Sequence, residues 1–233
     1  RTLTLPSDKT TFFNFLASHD GIGLNPARGI LSDTEIDSLV NKVIEHGGLI
    51  SYKHNADGTQ SPYEMNINYF DALSNPNANE PLDLQVSRFI AAQAIMLSLI
   101  GMPGIYFHSL FGSRGWMEGV QQTGRNRTIN REKLQFNELQ NQLADENSLR
   151  SKVYSKYSEL LKTRSSSPAF DPHGTQKIID LHPSVFAIER TSSDGNARVL
   201  CLHNVSQKSV SFSMKDGSDI ILEPYEILWL KKD

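Results

Sequence analysis

The sequence predicts an α/β fold built on a parallel sheet and followed by a small antiparallel β domain. Three stretches carry that expectation. Phe12, Phe13, Phe15 and Leu16 are dense enough in apolar side chains to form a strand buried on both faces, as strands of parallel sheets are. Residues 83–100, which contain SRFIAAQAIMLSLI, are apolar around most of a helix circumference, and a short apolar run at 104–108 follows them. A helix leading through a tight turn into a strand is one step of a parallel fold. After residue 165 the period changes to six short strand-like runs separated by turn residues.

In chain order, residues 1–10 are polar and contain Pro6, a lead-in rather than an element. The run at 12–16 gives way to Ser18, His19 and Asp20 and then to Gly21 and Gly23, so polar side chains and backbone freedom arrive together at its carboxyl end. Asn25-Pro26 and Arg28-Gly29 mark a loop. Ser32 with Glu35 three residues on is a capping box, and Ile36, Leu39, Val40, Val43 and Ile44 recur at helical spacing. A helix is expected over 33–46, ending at Gly47-Gly48. Leu49, Ile50 and Tyr52 lead into Asn55-Ala56-Asp57-Gly58, a hairpin signal. A long irregular run is expected from 59 to 82, kept ordered by Tyr63, Met65, Ile67, Tyr69, Phe70 and Leu73. The helix over 83–100 stops at Gly101 and Pro103, the strand over 104–108 follows, and a loop rich in Gly and Arg comes next. Residues 132–164 read as helical, with Leu139, Leu143, Leu149, Val153, Tyr157, Leu160 and Leu161 forming the apolar stripe. A linker at 165–172 then precedes strands expected at 176–181, 185–191, 198–204, 208–214, 219–222 and 226–230, a sandwich or barrel closed by Trp229 and Leu230. The expected division is 1–165 and 166–233.

Composition narrows the partners. A chain of 233 residues with 38% hydrophobic content can bury a sizeable core. A net charge of −3 and a pI near 6.2 give no general attraction to nucleic acid or to anionic membrane, so neither is expected as a partner. The apolar stretch at 90–105 is broken by Gln93, Ser98, Gly101, Pro103 and Gly104 and is too short to span a bilayer. The single cysteine, Cys201, lies among Val199, Leu200 and Leu202, so a buried, inert thiol in a reducing, cytoplasmic setting is expected. The start at Arg1 rather than Met suggests a piece of a longer protein.

Two readings of residues 18–23 stand on the residues alone. Ser, Asp and Gly in sequence are ordinary turn chemistry, with Asp20 a cap and His19 a bystander. Alternatively they are functional groups at the carboxyl end of a strand, where α/β folds carry their chemistry. Arg114, Arg125, Arg127 and Arg131 divide the same way, into solvated loop charges or planar, permanently charged donors that hold sugar hydroxyls or phosphate.

The stretch FFNFLASHDGIG resembles the fourth signature region of the α-amylase clan of glycosidases (glycoside hydrolase family 13), in the form found in its sucrose phosphorylase branch. YEMNINYFDAL (63–73), GMPGIYFHSLFGSRGW (101–116) and GRNRTINREKL (124–134) resemble that branch's mobile loop after the seventh barrel strand, its eighth strand with the following loop, and its arginine loop. The resemblance implies the C-terminal part of a (β/α)8 TIM barrel, its last two βα units, followed by the small antiparallel β domain. It also implies a retaining α-glucoside phosphorylase that passes a glucosyl group by way of an enzyme carboxylate to inorganic phosphate, with no metal or cofactor.

Residue by residue, Asp20 matches the carboxylate that stabilises the oxocarbenium-like transition state, and His19 would hydrogen-bond the same glucose. Arg127, in the R-x-I-N-R motif, would help close the glucose subsite. Tyr63 and Glu64 would line the phosphate or acceptor side, with Arg114 and Arg125 as further substrate-binding groups. Glu64 stands where sucrose phosphorylases tend to carry glutamine, and SPYEMNINYFDAL with IYFHSLFGSR looks more like glucosylglycerate and sucrose 6-phosphate phosphorylases, so glucosylglycerate is the favoured substrate. The family's nucleophile and acid/base lie on earlier strands. The chain is therefore expected to be a C-terminal fragment, inactive alone and partnered by the rest of its barrel or by a second copy. Sucrose or sucrose 6-phosphate phosphorolysis, an amylase-type glucosidase or transglycosylase, and a non-catalytic carbohydrate-binding module stay open as alternatives. The last lacks an exposed aromatic platform beyond Trp229, which its apolar neighbours are expected to bury.

Overall fold

A computed structural model describes residues 4–214 and 216–232. Of the expected lead-in at 1–10, residues 1–3 lie outside the described residues, and 4–10 have no regular structure. The elements in chain order are β1 (Phe13–Asn14), β2 (Ile22–Gly23), α1 (Asp33–Glu45), β3 (Leu49–His54), β4 (Gln60–Asn66), α2 (Tyr69–Leu73), α3 (Leu82–Ser98), β5 (Met102–Pro103), α4 (Phe107–Leu110), α5 (Met117–Thr123), α6 (Phe136–Ala144) and α7 (Leu149–Ser165). The strands β6 (Thr175–His182), β7 (Val185–Thr191), β8 (Arg198–Asn204), β9 (Val210–Ser213), β10 (Asp219–Leu222) and β11 (Ile227–Lys232) complete the chain. They fall into two compact units, one of residues 16–81 and 105–154, the other of 82–104 and 155–232 with the residues up to 15.

In the unit that includes the β domain, β1 and β5 pair in parallel, Phe13 beside Met102 and Asn14 beside Pro103. The apolar run at 12–16 is not buried on both faces: Phe13 is 67% and Phe15 54% exposed, because β5 is the only strand beside β1 among the described residues. Helix α3 matches its all-round apolar pattern, with Val86, Phe89, Ile90, Ala94 and Leu97 all buried. The six terminal strands appear where the alternation places them. A four-stranded antiparallel sheet in the order β11-β8-β7-β6 faces the β9–β10 hairpin, and Val185, Ala187, Leu200, Leu202, Val210 and Leu222 form the core of this sandwich.

Three polar side chains in this unit, two of them fully buried, have specific partners. Arg190, fully buried, donates to the carbonyls of Ser98, Leu99, Thr175 and Asp171 at 2.8–3.2 Å. Arg164 donates to the carbonyls of Leu97 and Gly101, so two guanidinium groups close the C-terminal end of α3, where unpaired carbonyls and the helix dipole favour cations. His203 donates from Nδ1 to the Phe186 carbonyl and accepts the Trp229 indole N–H on Nε2, which fixes a neutral ring; burial pushes its pKa down to about 4. Trp229 packs on Phe170, with ring centroids 4.8 Å apart. Burial pushes the Cys201 thiol up to about 12, so it stays protonated and unreactive.

The other unit departs further from the expected elements. The capping box forms in full, with Ser32 N–H on Glu35 and Glu35 N–H on Ser32 Oγ, and α1 ends at Gly47 in a left-handed conformation (φ 81°). The run expected to be irregular from 59 to 82 holds β4 and α2; β4 pairs antiparallel with both β3 and β2. Pairing on two sides supplies the backbone hydrogen bonds that the polar composition of 59–66 conceals. Where the chain leaves the unit that includes the β domain, the strand expected at 104–108 is instead β5 at Met102–Pro103 followed by the short helix α4; Gly104 lies against the Phe13 ring within that unit. The helical run at 132–164 is two helices, α6 and α7, broken where Asp145 caps a turn with its side chain on Asn147 N–H.

Candidate active site

The site lies within residues 16–81 and 105–154 and starts from the turn at 18–21. Ser18 and Gly21 exchange backbone hydrogen bonds of 3.0 and 3.1 Å, which presents His19 and Asp20 at its tip. Gly21 has φ of 122°, and a β-carbon there would fall 2.2 Å from the Met65 carbonyl oxygen, so no other residue fits. The chain then enters β2, which pairs Gly23 with Glu64 and Ile22 with Met65 of β4. Glu64 and Asn66, two residues apart on one face of β4, are thereby brought against the His-Asp turn.

Four charged side chains alternate in sign. Arg127 grips buried Glu64 through two bonds, Nε to Oε1 at 3.0 Å and Nη2 to Oε2 at 2.7 Å, while its Nη1 lies 3.4 Å from Asp20 Oδ1. Arg131 Nη2 donates to the same Asp20 oxygen at 2.6 Å, and its Nε donates to the His19 carbonyl at 3.0 Å. His19 Nε2 stands 3.3 Å from Asp20 Oδ1. The Glu64 carboxylate raises the basicity of Arg127, with lesser help from Asp20 and Tyr63. Asn66, fully buried, donates to the Asp20 carbonyl at 2.8 Å and to Glu64 Oε1 at 2.6 Å and accepts from Ser51. Among the described residues the ion-pair contacts to the Asp20 side chain all fall on Oδ1.

Asp20, His19, Glu64 and Arg127 are therefore brought together, with Tyr63 beside Arg127. Arg125 lines a cavity of about 460 Å³ with Ser51, Thr128, Arg127 and Arg131 and makes no ion pair among the described residues. Arg114 is placed differently: its Nη1 meets buried Asp71 at 2.7 Å and its guanidinium covers the Phe70 ring. Burial pushes the Asp71 carboxyl above its ordinary range, opposed by the Gly115 N–H and by Arg114. Sequence reasoning grouped Arg131 with the other loop arginines as a candidate donor to sugar hydroxyls or phosphate without giving it a site of its own, and it missed Asn66 and Tyr106. Tyr106 donates its hydroxyl to the Asn130 carbonyl, and burial raises its pKa while Arg131 and Asp20 act on it in opposite directions. The even spacing of Glu64 and Asn66 was the one available signal for Asn66.

The site is thus an ion-paired carboxylate on the turn that leads into β2, with arginines delivered by a later loop. In fold, 91% of this chain matches 40% of the crystal structure of sucrose 6F-phosphate phosphorylase from Thermoanaerobacter thermosaccharolyticum, with a TM-score of 0.68 at 20% identity. No family model matches the chain. Among curated proteins it is 51% identical over 206 residues to glucosylglycerate phosphorylase of Spirochaeta thermophila, 45% identical over 236 residues to that of Allomeiothermus silvanus and 42% identical over 244 residues to that of Escherichia coli. These alignments cover 88 to 99% of this chain, which spans 35 to 43% of the length of those relatives. The chain belongs to the sucrose phosphorylase and glucosylglycerate phosphorylase branch of the α-amylase clan.

Proposed function

We propose that this chain is the C-terminal part of a retaining α-glucoside phosphorylase that acts on glucosylglycerate and inorganic phosphate and yields α-glucose 1-phosphate. The observation that carries the reading is the convergence of His19, Asp20, Glu64, Arg127 and Arg131 in a chain 42 to 51% identical to three glucosylglycerate phosphorylases. Asp20 Oδ2 accepts a glucose ring hydroxyl, and the carboxylate's charge stabilises the oxocarbenium-like transition state; the arginines on Oδ1 hold it in place. Arg125 adds one unpaired positive charge beside two arginines already matched by Glu64 and Asp20, which favours a small anion, the carboxylate of glycerate or phosphate. Arg114 contributes to loop structure through Asp71 rather than to the substrate.

Residues 1–165 belong to the barrel and 166–233 to the terminal β domain in this reading. The nucleophile and the acid/base come from the remainder of the polypeptide, and the 233-residue chain alone is inactive. That remainder, or a second copy, covers Phe13, Phe15 and Met102, each at least half exposed. Among the described residues no helix is long and apolar enough to cross a membrane, and the one buried thiol suits a cytoplasmic site of action. The test is to incubate the full-length protein with phosphate and a panel of glucosides. Glucose 1-phosphate should appear faster from glucosylglycerate than from sucrose. Release of free glucose instead, or equal rates on sucrose, contradicts the assignment, as does phosphorolysis by the purified 233-residue chain.

A further inference from the structure

Asparagine is a poor strand former, and a buried amide costs stability unless its hydrogen bonds are made. Asn66 nonetheless ends β4, opposite Leu49 of β3, and is fully buried. Its side chain makes three bonds there. Ser51 Oγ donates to Oδ1 at 2.7 Å, while Nδ2 donates to the Asp20 carbonyl at 2.8 Å and to Glu64 Oε1 at 2.6 Å. A carbonyl and an arginine-paired carboxylate can only accept, so the amide has a single orientation. The same Glu64 oxygen takes Arg127 Nε at 3.0 Å, Oε2 takes Arg127 Nη2 at 2.7 Å, and Arg127 Nη1 comes back to within 3.4 Å of Asp20 Oδ1. The contacts close a ring from the Asp20 backbone through Asn66, Glu64 and Arg127 to the Asp20 carboxylate. The turn has little slack beside it, since a β-carbon on Gly21 would fall 3.1 Å from Asn66 Cα.

We infer that Asn66 is a positioning residue: by holding the Asp20 carbonyl and the Glu64 carboxylate on one amide, it fixes where Arg127 stands against the Asp20 side chain. Aspartate has the same shape, but in place of the amide N–H groups it sets an oxygen against a carbonyl and a carboxylate. Alanine leaves both acceptors without their donor. The inference deepens the phosphorylase reading and rests on it for the effect on turnover, whereas the ring of contacts stands without it.

The test uses the full-length enzyme with Asn66→Asp, Asn66→Ala and Ser51→Ala. Per folded molecule, both Asn66 variants should lower kcat about 100-fold at neutral pH, with KM within about threefold, as misplacement of a reacting group does. In Asn66→Asp two carboxyl groups stand within hydrogen-bond reach and do not both stay charged, so the proton one of them takes up as the pH falls supplies a donor again. The groups facing the new carboxyl are the Glu64 carboxylate, the Asp20 carbonyl and the Ser51 hydroxyl, with Arg127 beyond Glu64, and Arg131 and His19 beyond Asp20. The kcat of Asn66→Asp relative to wild type should therefore rise several-fold below neutral pH, while that of Asn66→Ala stays flat. Ser51→Ala removes only the bond to Oδ1 and should lower kcat about threefold with Tm nearly unchanged. Near-normal kcat per folded molecule in the Asn66 variants, the same pH profile for Asp and Ala, or effects confined to KM would overturn the inference. If neither Asn66 variant folds, an unchanged kcat in Ser51→Ala overturns it. If the wild-type enzyme shows no phosphorolysis, the functional reading fails, and crystal structures of the wild type and of the variants that fold decide alone: a shift of Arg127 relative to Asp20 supports the positioning role, and superimposable arrangements overturn it.

Discussion

Two pairs of arginines in this chain meet opposite fates. Arg127 and Arg131 stand partly exposed against carboxylates, with Glu64 and Asp20 as partners. Arg164 and Arg190 are turned inward, and their hydrogen bonds all go to backbone carbonyls at the end of α3 and in the following segments. An exposed ion pair adds little to stability, because water and salt screen it. A buried guanidinium is different, because removing it strands several carbonyls that water cannot reach. The first pair should therefore matter to chemistry and the second to folding, although the four residues look alike in sequence.

The largest stability effect tests the second half of that comparison. Arg190→Met should cost on the order of 3 kcal/mol or more, read as a lower denaturant midpoint, because four carbonyls lose their donor. Arg190→Lys should recover little, one ammonium being unable to reach them all. Activity per folded molecule should not change.

His203 extends the test to pH. Its pKa falls from the ordinary 6.5 to about 4 through burial, so the folded state holds fewer protons than the unfolded chain between those values. Its contribution to stability is complete above pH 6.5, falls as the pH is lowered, and is lost below about 4. The loss is on the order of 3 kcal/mol, and His203→Gln should flatten that part of the stability curve.

Ser32→Ala removes the N-cap of α1 and should cost about 1 kcal/mol. Glu35→Ala should do no more, since it leaves the Ser32 hydroxyl on the Glu35 N–H. Arg131→Gln, whose partner Asp20 is itself partly exposed, should change stability least, by less than about 1 kcal/mol, while clearly lowering kcat in the full-length enzyme. A large fall in Tm for Arg131→Gln, or a negligible one for Arg190→Met, would break the contrast between the two pairs.

Much of the fold was legible in the sequence because its signals are local. The capping box at Ser32, the all-round apolar helix over Leu82–Ser98 and the alternation of the six terminal strands each depend on residues close together in the chain. What failed was decided at a distance. β4 is polar enough to pass for loop and becomes a strand by pairing on both sides, and α4 replaces the expected strand where the chain turns past Gly104. The site divides likewise. His19, Asp20 and Arg127 lie in recognisable motifs, whereas Arg114 differs from Arg125 only through Asp71, which lies 43 positions before it. Nothing in the sequence marked Arg190 as buried, since its four acceptors are backbone atoms, which carry no residue-type signal.

The central claim is that the His19-Asp20 turn is chemical apparatus rather than structural punctuation, and Asp20→Asn in the full-length enzyme tests it most directly. Asparagine keeps the shape and one acceptor oxygen but removes the charge that Arg127 and Arg131 hold in place. Production of α-glucose 1-phosphate from glucosylglycerate and phosphate should fall by several orders of magnitude in kcat, on the order of 3 kcal/mol or more of transition-state stabilisation, with Tm nearly unchanged. Near-normal kcat, or a loss of activity fully matched by a loss of folded protein, would show that Asp20 serves the turn and not the reaction.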